Sequence, residues 1–245
     1  MLNMKCVFLV IISFFVNELC HSAIDLPRGL NIKERVRTLE LLGFGSAPKI
    51  LDNPYPLGGY AGIEFGISSE FIPMEDIATL GTSTQDRGTF NYYSVSFAKG
   101  LYYNIDLHVN FTPSLQEKGV EAFGGQVRWG FQELSFFPLS FSAILFGSGA
   151  NFLNLININT LGAAIVGSVN LDNVAIYFGN GQVRTIGKFI GGDNGITDDK
   201  VTDVRDLMSS STILGINLNF SKIFIAFEVN RYSDSFYSGK LGYRF

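Results

Sequence analysis

The chain has 245 residues, of which 47% are apolar and only 16% charged, against about 25% charged in an ordinary soluble protein. A net charge of -4 and the lack of any Lys/Arg run exclude a nucleic-acid-binding surface. Both cysteines, Cys6 and Cys20, lie in the first 22 residues, so residues 23–245 can hold neither a disulfide framework nor a cysteine metal site.

Residues 1–22 read as a secretory signal. Lys5 precedes a stretch from Val7 to Val16 that is apolar apart from Ser13, too short for a spanning helix. Small residues at Cys20 and Ser22 place cleavage before Ala23. Residues 23–59 form a second unit, a helix and a linker. In NIKERVRTLELLG, over 31–43, Ile32, Val36, Leu39 and Leu42 recur at helical spacing, with Asn31 as N-cap and Gly43 as the end. The Pro- and Gly-rich stretch GFGSAPKILDNPYPLGG reads as irregular.

From Tyr60 the period changes to two, and residues 60–245 read as one all-β domain. In AGIEFGISSEF, Ala61, Ile63, Phe65, Ile67 and Phe71 share a face opposite Gly62, Glu64, Gly66, Ser68 and Glu70. The same alternation marks YYNIDLHVNF, EAFGGQVRWGF and KIFIAFEVNRY. Strands are expected at 60–72, 90–98, 102–111, 120–131, 139–149, 160–171, 174–184, 212–220, 223–232 and 236–245. The pattern is weakest in 139–149 and 174–184, where Ile144, Phe146, Tyr177 and Val183 fall on the polar face. The runs have the length of tilted bilayer-crossing strands, and short joints alternate with longer ones, notably 73–89, 112–119, 150–159 and 185–211. The polar face is thin and rich in Gly, Ala, Ser and Asn, as a narrow barrel interior requires. The fold expected is a transmembrane up-and-down antiparallel β-barrel of about ten strands, with eight or twelve as alternatives, and a short N-terminal helix. The 23–59 unit is expected either to plug this barrel, to rest at its mouth, or to use its apolar stripe on a partner or membrane surface.

The final strand, FYSGKLGYRF, carries Tyr237, Leu241, Tyr243 and the terminal Phe245 on one face, with Gly239 interrupting them. It resembles the C-terminal insertion signal of bacterial outer-membrane β-barrel proteins. The resemblance implies residence in the bacterial outer membrane, with that membrane's lipid and the barrel assembly machinery as partners. It leaves the subfamily, and any ligand outside the cell, unspecified.

The polar face carries Glu64, Glu70, Asp106, His108, Arg128, Glu228, Lys240 and Arg244. Unpaired charges in a narrow lumen are costly, so Glu64, Asp106, Arg128, Glu228, Lys240 and Arg244 are expected to form an internal polar network, or alternatively to line a narrow pore. Asp106-Leu107-His108 offers the one candidate catalytic pair, a carboxylate and an imidazole on one face. It resembles the Asp-x-His pair of omptin proteases, but it lies early in the chain and lacks their second pair of acids. A lipid-modifying hydrolase would need a Ser beside His108. The acids Asp193, Asp198, Asp199, Asp203 and Asp206 lack the ligand order of an EF-hand loop. No metal and no cofactor is expected. The leading reading is a non-enzymatic barrel that is structural, a narrow channel or surface-binding. A barrel hydrolase using His108 and a soluble secreted β protein are the alternatives.

Overall fold

The computed structural model describes residues 26–82, 89–113, 119–134 and 136–245, so the expected signal lies outside the described residues. Ten strands form a closed barrel: β1 (Ile63–Pro73), β2 (Thr89–Gly100), β3 (Ile105–Phe111), β4 (Val120–Glu133), β5 (Leu139–Phe152), β6 (Ile156–Leu171), β7 (Val174–Phe189), β8 (Asp203–Phe220), β9 (Ile223–Arg231) and β10 (Ser235–Arg244). Neighbours in sequence pair antiparallel, and β10 closes on β1 with Phe65 opposite Tyr243 and Ile67 opposite Leu241. Closure leaves no edge with unpaired backbone groups, which is what permits strands to cross hydrocarbon.

The period-two pattern decides which face is which. Phe65, Ile67, Phe71, Phe97, Leu107, Phe123, Trp129, Leu145, Leu161, Ile165 and Phe227 point outward and are exposed, whereas Glu64, Ser68, Glu70, Asp106, Arg128 and Glu228 point inward and are buried. A continuous apolar outer belt of this extent is far larger than soluble proteins tolerate, which disposes of the soluble alternative. Among the described residues no helix is long and apolar enough to cross a membrane.

Several boundaries differ from expectation, and β5 runs on to Phe152. β6 starts at Ile156, β7 runs on to Phe189 and β8 begins at Asp203, so most of the expected 150–159 and 185–211 loops is strand. The hydrogen-bond ladder there continues beyond the apolar belt, where most outward residues are polar (Asn180, Gln182, Arg184 and Lys188 on β7, Asp206, Ser210 and Thr212 on β8) and Ile186, Val204 and Met208 are the apolar ones among them. Alternation of hydrophobicity fades while pairing persists. Conversely, Tyr102 to Asn104 leave the expected third strand for the β2–β3 turn, with Tyr103 and Asn104 at positive φ, and residues 59–61 form a 3-10 turn before β1.

The four joints 101–104, 134–138, 172–173 and 221–222 lie at the end of the barrel where β1 begins and β10 ends. The strand ends joined by the β1–β2, β3–β4, β5–β6, β7–β8 and β9–β10 connections lie at the other. The helix α1 (Ile32–Gly45) sits at this second, long-loop end. Asn31 accepts from the Lys33 and Glu34 backbone N–H groups while the Glu34 carboxylate accepts from the Asn31 N–H, a complete capping box. The helix runs to Gly45 rather than ending at Gly43. Its buried side keeps Leu39 and Leu42 of the expected stripe but extends well beyond it. Ile32 is exposed, whereas Arg35, Thr38, Leu39, Leu41, Leu42, Gly43 and Phe44 are buried, because the helix descends into the lumen and is surrounded there. The linker then continues down the barrel and reaches the short-turn end where β1 starts.

Ile144, Phe146, Tyr177 and Val183 are explained by this arrangement. They point inward at 0–7% exposure and join Phe152, Ile156, Ile158 and Phe189 in a core built around Leu39, Leu42 and Phe44. The interior of this barrel is apolar where the helix fills it and polar below.

Candidate functional site in the plugged lumen

The mouth is fastened first. Arg35, 1% exposed, donates from Nη1 to Asp203 at 2.9 Å and from Nη2 to Asp198 and Asp199 at 2.5 and 2.8 Å, while its Nε reaches the Leu30 carbonyl. Leu30 exchanges backbone bonds with the 190–202 loop: its N–H donates to the Ile196 carbonyl and its carbonyl accepts from the Asp198 N–H. Arg37 forks onto both Asp234 oxygens at 2.7 and 3.0 Å and also meets Glu40 and Asp76. Phe44 stacks on Tyr232 at 4.8 Å. The acidic 193–206 segment therefore holds an arginine of the plug, with Lys200 on Asp193 and Arg184 on Asp206.

The Arg37 guanidinium donates to the Asp234 carboxyl and holds its pKa below the usual carboxylate value. A depressed folded-state pKa contributes stability that is complete above the unfolded value, about 3.9 for Asp. That stability is lost as pH falls through the folded one. A fluorophore on Lys33→Cys should accordingly report an unchanged mouth from pH 8 to 5 and a loosened one only below about pH 4. A transition near pH 6–7 would mean that other groups set the fastening.

Below the helix, Lys49 turns back and donates from Nζ to the carbonyls of Phe44, Gly45 and Ala47 at 3.1, 3.1 and 2.6 Å, capping the carbonyl end of α1 with a cation. Glu228, 2% exposed, accepts from the Ile50 and Leu51 backbone N–H groups, the Tyr177 hydroxyl and the Asn230 amide. Arg128 reaches the Ile50 carbonyl at 2.7 Å and the Asp52 carboxylate, and Gln126 reaches the Lys49 carbonyl. Lower still, Asp106 accepts from the Leu57 N–H at 2.8 Å. Glu64 takes Lys240 Nζ at 2.6 Å and Arg244 Nε at 2.8 Å.

The six lumen residues singled out in the sequence divide into two groups. Glu64, Lys240 and Arg244 bind one another across the β1–β10 seam. Arg128, Glu228 and Asp106 instead bind the linker backbone or Asp52. Lys49, Asp52, Tyr177 and Arg35 were missed. The linker's only two charges, Lys49 and Asp52, in a segment otherwise apolar or turn-forming, were the available signal.

His108 lies 5% exposed in the same cluster, its Nδ1 3.7 Å from Asp52. Asp106 and His108 do not bond each other; the linker lies against both. Asp52, Glu64 and His108 offer ligand atoms within 4.8 Å of one another. However, Arg128 and Lys240 crowd Asp52, and Lys240 and Arg244 occupy Glu64. A site whose acids are already matched by three cations is electrostatically poor for a further one. Of the insertion-strand residues, Tyr237, Tyr243 and Phe245 are exposed on the outer face and Leu241 lies between Tyr243 and Gly239, with Tyr243 and Phe245 in edge contact at 4.8 Å. Lys240 and Arg244 point inward.

No family model and no curated protein matches this chain. Solved structures do. The Yersinia pestis attachment invasion locus protein Ail is 17% identical over 75% of this chain and 97% of its own, with a TM-score of 0.31. The N-terminal β-barrel domain of Pseudomonas aeruginosa OprF is 9% identical over 76% and 99%, with a TM-score of 0.35. The KdgM porin is 9% identical over 75% and 99%, with a TM-score of 0.37. These are bacterial outer-membrane β-barrel proteins. This chain is a transmembrane β-barrel. At such TM-scores the likeness is one of general shape, and the assignment rests on the barrel's own closed ladder, apolar belt and polar interior. Barrels of this kind sit in outer membranes, with short turns on the periplasmic side and long loops outside.

Proposed function

We propose that the chain is a non-enzymatic outer-membrane barrel, closed by its own N-terminal segment, that displays an ordered cap at the cell surface. The observation that carries this reading is the course of residues 26–62, which enter at the long-loop mouth and fill the lumen to the short-turn end. A side chain or backbone group of this segment meets the wall at every level, from Arg35 through Lys49 and Asp52 to Leu57. The void left between Lys49, Ile50 and Leu51 and the wall at His108, Arg128 and Lys240 measures about 30 Å³, too little for an open pore at that level. A hydrolase would need substrate to reach His108 from a mouth that α1 occupies, and among the described residues no serine bonds to that imidazole.

Purified protein in planar bilayers should give flat traces at moderate voltage, and stepwise conductance from the unmodified protein would overturn the closed reading. Orientation is tested on intact cells. Lys33→Cys, exposed on the cap, should react with a membrane-impermeant maleimide, whereas Asn173→Cys in a short turn should not. The reverse pattern would put the cap on the periplasmic side.

A further inference from the structure

The outer wall has one feature that barrel closure does not need. A concave pocket of about 740 Å³ opens sideways on it, spanning β7 to β10 and β1 to β2. One hydrogen-bonded row forms its lower part: Ile176, Ile216, Phe227, Gly239, Ser69 and Tyr93, each registered with the next. Gly239 and Ser69 are neighbours in the row and its two smallest residues, so the belt is thinnest there, between Phe227 on one side and Tyr93 on the other. Tyr237, Phe71 and Asn91 line the row above.

Three observations point to an occupant. Ser69 faces outward yet is 3% exposed, and its Oγ is buried without a hydrogen-bond partner. Asn91 Oδ1 is likewise buried and unpartnered. Polar atoms at belt level are costly unless something bonds them. The next outward row, Asn180, Thr212, Arg231 and Ser235, is polar and marks the upper edge of the belt on the long-loop side. Arg231 is exposed there, with no ion pair among the described residues, two residues above Val229 of the pocket wall. An apolar groove floored at Gly239 and Ser69, a polar atom one row higher at Asn91 and a cation at the interface above match, in order, the acyl chain, the polar linkage and the phosphate of a membrane lipid.

We propose that this groove is a binding site for one anionic, acylated phospholipid of the membrane's long-loop leaflet, with its chain over Gly239 and Ser69, its linkage region at Asn91, and its phosphate at Arg231. The site also accounts for Gly239, which breaks the apolar face of the final strand. A Cβ at Gly239 would meet Phe227 at 3.6 Å, an ordinary contact, and the backbone there needs no glycine conformation. Barrel packing therefore does not demand glycine at this place, and an apolar side chain would fit the insertion pattern better. The proposal rests on the barrel spanning a membrane and does not depend on whether the lumen is closed.

The test is native mass spectrometry of the full barrel from micelles supplemented with phosphatidylglycerol or phosphatidylcholine. Band shift on heating and flotation with liposomes first establish a folded membrane protein; failure there sinks the membrane reading itself. The unmodified barrel should retain one lipid and prefer phosphatidylglycerol. Gly239→Leu, or Ser69→Leu if the first variant does not fold, fills the floor and should weaken retention about tenfold. Arg231→Gln should keep the lipid and lose the headgroup preference. Equal retention by the filled and unmodified barrels would overturn the site, and an unchanged preference in Arg231→Gln would overturn the headgroup assignment.

Discussion

Glu64→Ala is expected to destabilise the barrel by about 3–5 kcal/mol, the cost of leaving buried charge without its partner. Glu64 is 1% exposed and is the carboxylate that both Lys240 and Arg244 contact most closely. The next acid, Asp52, is 4.0 Å from Lys240 and is already engaged by Arg128. Removing Glu64 therefore strands two cations at the β1–β10 seam, where the ladder closes and where Arg244 also stacks over Phe224 at 4.6 Å. The urea midpoint of the heat-sensitive band shift measures the effect. Glu64→Ala/Lys240→Met removes one charge of each sign and should recover part of the loss. If Glu64→Ala leaves the midpoint in place, the cations have found water, and the seam is wetter than the geometry shows.

The sequence made the barrel legible because lipid and lumen sort side chains by the same period of two. Phe65, Ile67 and Phe71 could face only one way once Glu64, Ser68 and Glu70 faced the other. Legibility failed where the sorting solvent changed. Above the belt, Arg184 and Asp206 pair across β7 and β8 in water, so strands that continue looked like loop. Inside the barrel, Val183 and Phe146 met a helix instead of water, so inward positions looked like errors. The second misreading comes from the plug, which was seen as a helix but not placed inside the barrel. Nothing local in Arg35 announces that its partners, Asp198, Asp199 and Asp203, lie more than 160 residues away. The polar network shows the same limit. Its members could be named from their face, but Arg128, Glu228 and Asp106 bind linker groups, and backbone acceptors and donors carry no sequence signal.

Gly43→Leu should unseal the barrel without dismantling it. At Gly43 the helix backbone lies directly against the wall: the Thr160 hydroxyl reaches its carbonyl at 3.4 Å, and an added Cβ would overlap the Thr185 methyl. Thr160 and Thr185 are opposite one another in the β6–β7 ladder and share a hydroxyl contact at 3.2 Å, so the wall gives way less easily than a docked helix does. Overpacking of this kind costs about 1–3 kcal/mol. The helix can escape it by rising, which would also lift Leu39, Leu42 and Phe44 from their core. A shift of that size changes a closed-to-open ratio about 5- to 150-fold, so conductance steps should appear in bilayers where the unmodified protein is silent, while the heated band shift persists. Gly43→Ala should open less often, since its single methyl needs a smaller displacement. A silent but well-folded Gly43→Leu barrel would mean that the seal lies lower, in the Lys49 to Leu57 segment, and that α1 is a lid resting on a lumen already closed.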